Sequence, residues 1–183
     1  VAISGSITYR AELWFWNLRL ENLDGGTTNR SGLTTGFLRQ AREGVAFALS
    51  VQMFEVEDAK GTNNRLANTA LSLAFRPLGH TWSVLEKLEF RYDATENGTG
   101  VSGSNPLGNT SLNPVGDVQS KRIINNIVLN RVSRPWTEAD RQGNLFMLNQ
   151  RNQWSLYYGS KYVLDNIGGT AYSGYTDLMG LEW

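Results

Sequence analysis

The stretch Val45-Ala46-Phe47-Ala48-Leu49-Ser50-Val51-Gln52-Met53 decides the fold of this chain. Large apolar side chains occupy every second position, and small or polar residues occupy the positions between them. Because successive side chains of a β-strand point to opposite faces, this period of two predicts a strand with one apolar and one wet face. The same alternation returns in Asn68 to Arg76 and in Gln153 to Leu164, so the sequence predicts an all-β protein.

The composition excludes several classes of protein. A chain of 183 residues with 40 % hydrophobic residues can fold, which excludes wholesale disorder. Its 17 basic and 17 acidic residues cancel, so no overall electrostatic field attracts nucleic acid or an anionic membrane surface, and we expect no nucleic-acid partner. The absence of cysteine excludes a disulfide framework and a thiolate metal site.

The apolar stretches are too short for membrane helices. The longest strongly apolar run, Gly44 to Val51, falls far below the roughly 20 residues that a membrane helix needs. A chain with such short runs crosses a bilayer only as a closed sheet, and alternating stretches of about ten residues between polar loops are typical of a transmembrane β-barrel. No leader precedes Val1, so we expect any secretory signal to be removed or to lie outside this sequence.

The chain divides into about eight predicted strands. In chain order they are Ile3 to Leu20, Leu33 to Gln40, Val45 to Val56, Leu66 to Arg76, Trp82 to Asp93, Lys121 to Arg134, Gln153 to Asp165 and Tyr172 to Trp183. The connections between them alternate in length, as the outer loops and periplasmic turns of outer-membrane barrels do. We therefore expect the loops at Glu21, Glu57 and Ala94 to face outside, and the turn that contains His80 to lie at the opposite end.

Two sets of side chains have expected positions in such a barrel. Aromatic rings favour the two membrane interfaces, and the strand ends carry six candidates for this girdle: Trp82, Trp136, Trp154, Tyr92, Tyr172 and Tyr175. The wet face carries candidate lumen-lining charges of both signs: Arg10, Glu12, Arg76, Lys87, Glu89, Arg91 and Lys161. Mixed charges either line a water-filled passage or pair with one another to fill a narrow interior, and the sequence leaves both open.

Some residues do not fit the lipid-facing pattern. Glu86 and Asp177 each fall among the apolar residues of their strand, and Lys121 to Arg134 carries asparagines on both faces. A carboxylate exposed to lipid near the middle of a bilayer costs on the order of a few kcal/mol. A bulge, a neighbouring subunit or a partner ion would be needed to accommodate it.

The sequence offers no recognisable catalytic centre. His80 is the only histidine, which excludes a serine triad and a site with several histidine ligands. No pair of carboxylates is singled out by its spacing as a hydrolytic dyad, and no glycine-rich loop leads into a helix that would hold phosphate. We therefore expect no enzyme, no cofactor and no metal.

Several segments resemble a family of bacterial outer-membrane β-barrels that is similar to the C-terminal barrels of very large, repeat-containing surface proteins. They are Thr69 to Leu78, Leu88 to Asp93, Tyr157 to Asp165 and Tyr172 to Glu182. The resemblance covers Leu66 to Glu182, whereas the first 60 residues match only in strand style. The segment Trp136 to Gln150 departs from the short turn that the family has there.

The resemblance leaves the extent of the barrel open. Barrels of this family continue for several strands after the Ser173-Gly-Tyr-Thr-Asp-Leu178 segment, which implies that the chain is the N-terminal part of a larger barrel. In contrast, Trp183 with Leu181, Met179 and Tyr175 resembles the aromatic signal with which outer-membrane barrels end.

These observations favour an antiparallel transmembrane β-barrel in the bacterial outer membrane. Its expected role is to anchor a surface protein or to pass small solutes, with the lipid bilayer and other envelope or surface proteins as partners. The alternative is a soluble β-sandwich that binds carbohydrate through Trp14, Trp16 and Tyr157. A lipid-active membrane enzyme is a third hypothesis, which the single misplaced histidine disfavours.

Overall fold

The structure is a computed structural model that describes residues 1–96, 117–135 and 152–183. These residues form nine strands: β1 (Ala2–Arg10), β2 (Trp14–Asp24), β3 (Thr28–Arg42), β4 (Val45–Asp58), β5 (Asn63–Phe75), β6 (Trp82–Glu96), β7 (Val118–Val132), β8 (Gln153–Ile167) and β9 (Thr170–Glu182). They contain no helix, and hence no helix long and apolar enough to cross a membrane. The prediction of an all-β protein is confirmed.

The nine strands form one antiparallel sheet in chain order, each strand pairing with the next. β1 contacts only β2, and β9 contacts only β8. The sheet is therefore open, with one free edge at β1 and the other at β9. The antiparallel arrangement is confirmed, whereas closure into a barrel stays a prediction.

The first predicted strand was wrong, because Ile3 to Leu20 forms two strands. The backbone N–H of Ala11 donates to the Trp14 carbonyl at 2.8 Å and closes a tight turn between β1 and β2. The turn also changes which positions are apolar: odd-numbered residues such as Ile7 carry the apolar pattern before it, and even-numbered residues such as Leu18 carry it afterwards. This extra hairpin raises the strand count from the expected eight to nine.

The strands extend further into polar sequence than predicted. The connection expected at Glu21 to Arg30 shrinks to residues 25–27, and that at Glu57 to Asn64 shrinks to residues 59–62. β8 and β9 are joined by Gly168 and Gly169 alone, both with positive φ, as a two-residue hairpin turn requires. Loop length therefore separates the two ends less clearly than expected.

The connections still fall at two ends in the predicted arrangement. Those at residues 25–27, 59–62 and 168–169 lie at one end, here called the Gly26 end, where β6 also ends and β7 begins. Those at residues 11–13, 43–44 and 76–81 lie at the other, here called the His80 end, where β7 also ends and β8 begins. Most of the expected Ala94 loop, residues 97–116, lies outside the described residues.

The register places most of the large apolar side chains on one face of the sheet, although some, such as Leu38, Leu85 and Val128, lie on the other. This apolar face includes Ile7, Trp16, Leu18, Leu20, Phe37, Phe47, Leu49, Val51, Met53, Leu71, Leu73, Val84, Leu88, Phe90, Ile123, Ile127, Leu129, Leu156, Tyr162, Met179 and Leu181. The opposite, polar face includes Ser6, Thr8, Asn17, Thr34, Ser50, Asn68, Ala70, Ser72, Lys87, Glu89, Arg91, Asn126, Lys161 and Thr176.

No layer of the described residues covers the apolar face. Each strand contacts only its sequence neighbours, so no second sheet packs on the first. The side chains of Leu71 and Met179 remain 51 % and 69 % exposed, and no large side chain in the described part is fully buried. The apolar face therefore lacks the protein partner that a soluble β-sandwich provides.

The polar face is the more crowded of the two. The Phe54 ring occupies the position where a Cβ on Gly32 would stand, and the Asn17 amide does the same above Gly36. The small side chains of Ser83 and Ser120 on this face are buried. Such crowding indicates that the sheet curves around its polar face, since the inner side of a curved sheet has less room.

Gly44 provides a test of the turn between β3 and β4. It has a φ of +70°, and a Cβ there would overlap the backbone carbonyl of Arg76. The backbone N–H of Arg76 also donates to the Gly44 carbonyl, so the two residues are held close together. Gly79 is the comparison, because it has a similar φ of +78° but open space around it. We expect Gly79→Ala to lower the unfolding free energy by about 1 to 2 kcal/mol, from the backbone strain alone. Gly44→Ala should cost a further ~2 kcal/mol because of the overlap. Denaturant unfolding of both variants measures this, and equal losses would contradict it.

Candidate functional site

The apolar face forms a belt bounded by charged residues at both ends. On β4 the belt runs from Val45 to Met53, about 27 Å at ~3.4 Å per residue, which matches the roughly nine to eleven residues of a tilted transmembrane strand. Glu55 and Arg65 follow it on this face at the Gly26 end. Arg39 and Arg131 adjoin it at the His80 end. The belt is thus an apolar surface of defined height.

The predicted aromatic girdle is only partly reproduced. Trp82 and Trp154 lie at the His80 end of the apolar face, with ring centroids 5.2 Å apart and planes perpendicular. Tyr92 and Tyr175 lie on the same face, nearer the Gly26 end. Tyr172 was wrongly assigned: it pairs with Asp165 on the polar face, because its spacing of three residues from Tyr175 reverses the direction of the side chain. The last candidate, Trp136, lies outside the described residues.

Five of the seven candidate lumen-lining residues lie on the polar face: Arg10, Lys87, Glu89, Arg91 and Lys161. The other two lie outside the strands, Glu12 in the turn at residues 11–13 and Arg76 just beyond the end of β5, so their assignment to the interior stays a prediction. Arg10 stands apart from the others on the edge strand β1. The structure therefore brings together only the charged residues of β6 and its neighbours.

Glu89 is the centre of this charged group. Lys87 donates to one of its carboxylate oxygens at 3.0 Å, and Arg91 donates to the other. The Glu89 side chain is only 4 % exposed, although it lies on a face without a covering layer. Its two cations enclose it because residues two apart on a strand point the same way.

Further cations surround this ion pair. Arg122 lies directly across from Arg91 on β7, and its Nε donates to the Ser120 hydroxyl at 3.1 Å. Lys161 lies one strand beyond, opposite Ile124. Two more carboxylates lie on this face: Asp93, two residues beyond Arg91 on β6, and Asp165 on β8, which like Asp93 lies opposite Ser120. This part of the polar face therefore carries charges of both signs, and such a surface suits water.

A second ionic network lies on the apolar face, outside the belt, at the Gly26 end. Arg65 on β5 donates to Glu55 on β4 at 3.0 Å and to Glu96 on β6 at 2.9 Å. Asn63 also donates to Glu55 at 2.7 Å. The hydrogen bond from Asn63, together with the one from Arg65, lowers the pKa of the Glu55 carboxyl. This network links three strands where the apolar belt gives way to polar residues.

Four polar side chains interrupt the belt. Asn125, Ser160 and Asp177 lie directly opposite one another on β7, β8 and β9. Glu86 lies on β6, and its register with both neighbours is regular, so no bulge redirects it. Beside them the hydroxyls of Tyr158 and Tyr175 are 3.1 Å apart. The β7 to β9 part of the face is therefore less suited to hydrocarbon than the rest.

The sequence reasoning missed two arginine–tryptophan pairs at the His80 end. The Arg39 guanidinium lies 4.5 Å from the centroid of the Trp14 ring, and that of Arg131 lies 5.1 Å from the Trp82 ring. Each pair joins neighbouring strands. These residues come together through the pairing register of neighbouring strands. Composition and spacing within a strand do not report that register, so they gave no signal for the pairs.

The residues of the carbohydrate-binding alternative do not converge. Trp14 and Trp16 lie on the apolar face of β2, whereas Tyr157 lies on the polar face of β8. Within the described ranges no three histidine or acidic side chains come close enough to hold a metal ion. No protein family, curated protein or solved structure matches this chain. The resemblance to barrels of surface proteins therefore stays a prediction.

The Glu89 ion pair can be tested by removing its charge. Glu89→Gln keeps the shape of the side chain but leaves Lys87 and Arg91 facing each other, so we expect it to lower the unfolding free energy by about 1 to 2 kcal/mol. The matched control is Glu96→Gln, which loses one exposed contact to Arg65 and should have a much smaller effect. Denaturant unfolding measures both. A larger loss in the control would contradict the central role of Glu89.

Proposed function

We propose that this sheet forms the wall, or a sector of the wall, of a bacterial outer-membrane β-barrel that anchors a surface protein or passes small solutes. The observation that carries the proposal is the apolar belt on one face of a single-layer sheet. In water such a continuous apolar surface far exceeds the patches that soluble monomers normally expose. Lipid tails provide an environment in which it is favourable.

The backbone of the sheet meets the second requirement of a membrane. Hydrocarbon offers no hydrogen-bond partners, so every backbone N–H and C=O at that depth must pair within the protein. The ladders from β2 to β8 satisfy this on both sides of each strand. Only the outer edges of β1 and β9 remain to be joined.

The strand count constrains how these edges are joined. Nine strands that alternate in direction leave β1 and β9 pointing the same way. In the proposed barrel they therefore pair with each other as parallel neighbours, or an odd number of further antiparallel strands lies between them. Single-chain bacterial barrels have even strand numbers, which favours the second arrangement.

The polar face supplies the interior of the proposed barrel. Small residues such as Ala70 and Ser72 leave space on β5, while the Glu89 group places charged side chains on β6 to β8. If these charges are hydrated, the interior can pass small solutes, whereas charges that pair across the interior would fill it and leave an anchor. Conductance of the reconstituted protein in a planar bilayer distinguishes the two roles.

Two adjacent residues of β5 can test which face of the sheet contacts lipid. Leu71 lies at mid-height of the apolar face, and Ser72 lies on the polar face. In vesicles of phosphatidylcholine we expect Leu71→Arg to lower the unfolding free energy by about 2 to 4 kcal/mol, since it places a charge in hydrocarbon. Ser72→Arg places the same charge in the hydrated interior, so its effect should be much smaller.

Three results would contradict the proposal. The first is a wild-type chain that is monodisperse and folded in plain buffer, as a β-sandwich would be. The second is a failure of the chain to insert into vesicles, read by the protection of its strands from added protease. The third is a Ser72→Arg variant that loses more stability than Leu71→Arg.

A further inference from the structure

We propose that the arginine–tryptophan pairs at the His80 end bind the phosphate groups of anionic phospholipids. The inference rests on the proposed membrane insertion and names the lipid class that this end of the belt recognises. Arg39, Arg42 and Arg131, here called the arginine rim, all lie on the apolar face near its His80 end. Arg39 follows Phe37 and pairs with Phe47, Arg42 pairs with Val45, and Arg131 follows Leu129. This is the level at which a bilayer changes from hydrocarbon to headgroups.

The aromatic rings fix the direction of two of these guanidinium groups. Arg39 lies over Trp14, whose ring also meets Phe37 edge-on at 5.2 Å. Arg131 lies between Trp82 and Trp154 in the register, and the two indole rings contact each other beside it. Stacking of a guanidinium on an indole ring is favourable and leaves the N–H groups at its edge free to donate.

The arginine rim differs from Arg65 and Arg91. Arg65 at the Gly26 end is held by two carboxylates, and Arg91 on the polar face is held by Glu89. No described carboxylate forms a salt bridge with Arg39, Arg42 or Arg131, and all three are exposed. Within the described residues, no carboxylate therefore occupies the N–H groups of these three arginines.

Phosphate is the anion that these donors fit. A guanidinium edge presents parallel N–H groups that match two oxygens of a phosphate, and headgroup phosphates lie at this depth of a bilayer. The chain as a whole is neutral, with 17 basic and 17 acidic residues, so no general field attracts it to an anionic surface. In phosphatidylcholine the choline cation offsets the charge of the phosphate, so arginines at headgroup level favour anionic lipid. We assign the preference to the arginine rim, which places three arginines at one end of the apolar face.

The experiment compares the full chain in two kinds of vesicle. One contains phosphatidylcholine alone, and the other contains added phosphatidylglycerol. We expect phosphatidylglycerol to raise the folding equilibrium constant of the wild type by roughly fivefold for each arginine engaged, from about 1 kcal/mol per basic residue near an anionic surface. The association of spin-labelled phosphatidylglycerol relative to phosphatidylcholine gives a second readout that does not depend on stability.

The double variant Arg39→Gln with Arg131→Gln should lose this preference in both readouts. Arg65→Gln is the matched control, because it removes an arginine from the same face at the other end and should keep the preference. If the double variant does not fold, each single variant should lose part of the preference. Equal enrichment of phosphatidylglycerol around the variants and the wild type would overturn the inference.

Two further arms separate the possible sources of failure. In the first, inorganic phosphate is added to phosphatidylcholine vesicles at matched ionic strength, and it should not raise the folding equilibrium constant as phosphatidylglycerol does. Stabilisation by free phosphate without a preference for phosphatidylglycerol would overturn headgroup binding. Insertion into phosphatidylcholine vesicles does not require the arginine rim. Failure to insert there contradicts the proposed function, whereas insertion without a lipid preference contradicts only this inference.

Discussion

Every other property of this protein depends on the fact that its sheet is a single layer. Each strand makes contacts only with its neighbours in the chain, so the backbone ladders hold the sheet together but bury little apolar surface. At about 25 cal/mol per Å² of apolar area, the stability that a soluble domain gains from its core is missing here. In the proposed barrel a lipid bilayer supplies it for the apolar face, and the interior that the polar face forms either holds water or is filled by its own side chains.

The sequence predicted well those parts of the strands that lie within the apolar belt, where apolar and polar residues alternate without interruption. In β4 the alternation from Val45 to Met53 is uninterrupted, so its face and extent followed directly from residue identity. The pattern failed where strands continue beyond the belt. Asp24 and Asn29 resemble loop residues, yet they pair with each other on β2 and β3. Polar residues are compatible with a strand there because both of its faces meet water.

Side-chain clusters were predictable only within a strand. Lys87, Glu89 and Arg91 are two residues apart, so their common face followed from the period of a strand. The contact of Arg39 with Trp14 depends on the pairing register of β2 with β3, which no local pattern reports. The change of face between β1 and β2 was visible only as a shift of the apolar residues from odd to even positions. The turn of three residues, 11–13, is too short to stand out from the strands around it.

The uneven polar face bears on the choice between anchor and passage. β3 to β5 contribute glycine, alanine and serine, including Gly36, Ser50 and Ala70, whereas the Glu89 group lies on β6 to β8. A separate ion-pair group on β2 and β3 joins Glu21 to Arg19 and Arg30. In a closed wall, the large side chains of one side would then face small residues across the interior. The Glu89 group contains charges of both signs, since Asp93 lies on the same face beside Arg91 and Lys87 and Arg91 already pair with Glu89. In the proposed barrel the argument for a passage over a filled anchor therefore rests on the spare room beside the small residues, which water would fill, and not on unmatched charge.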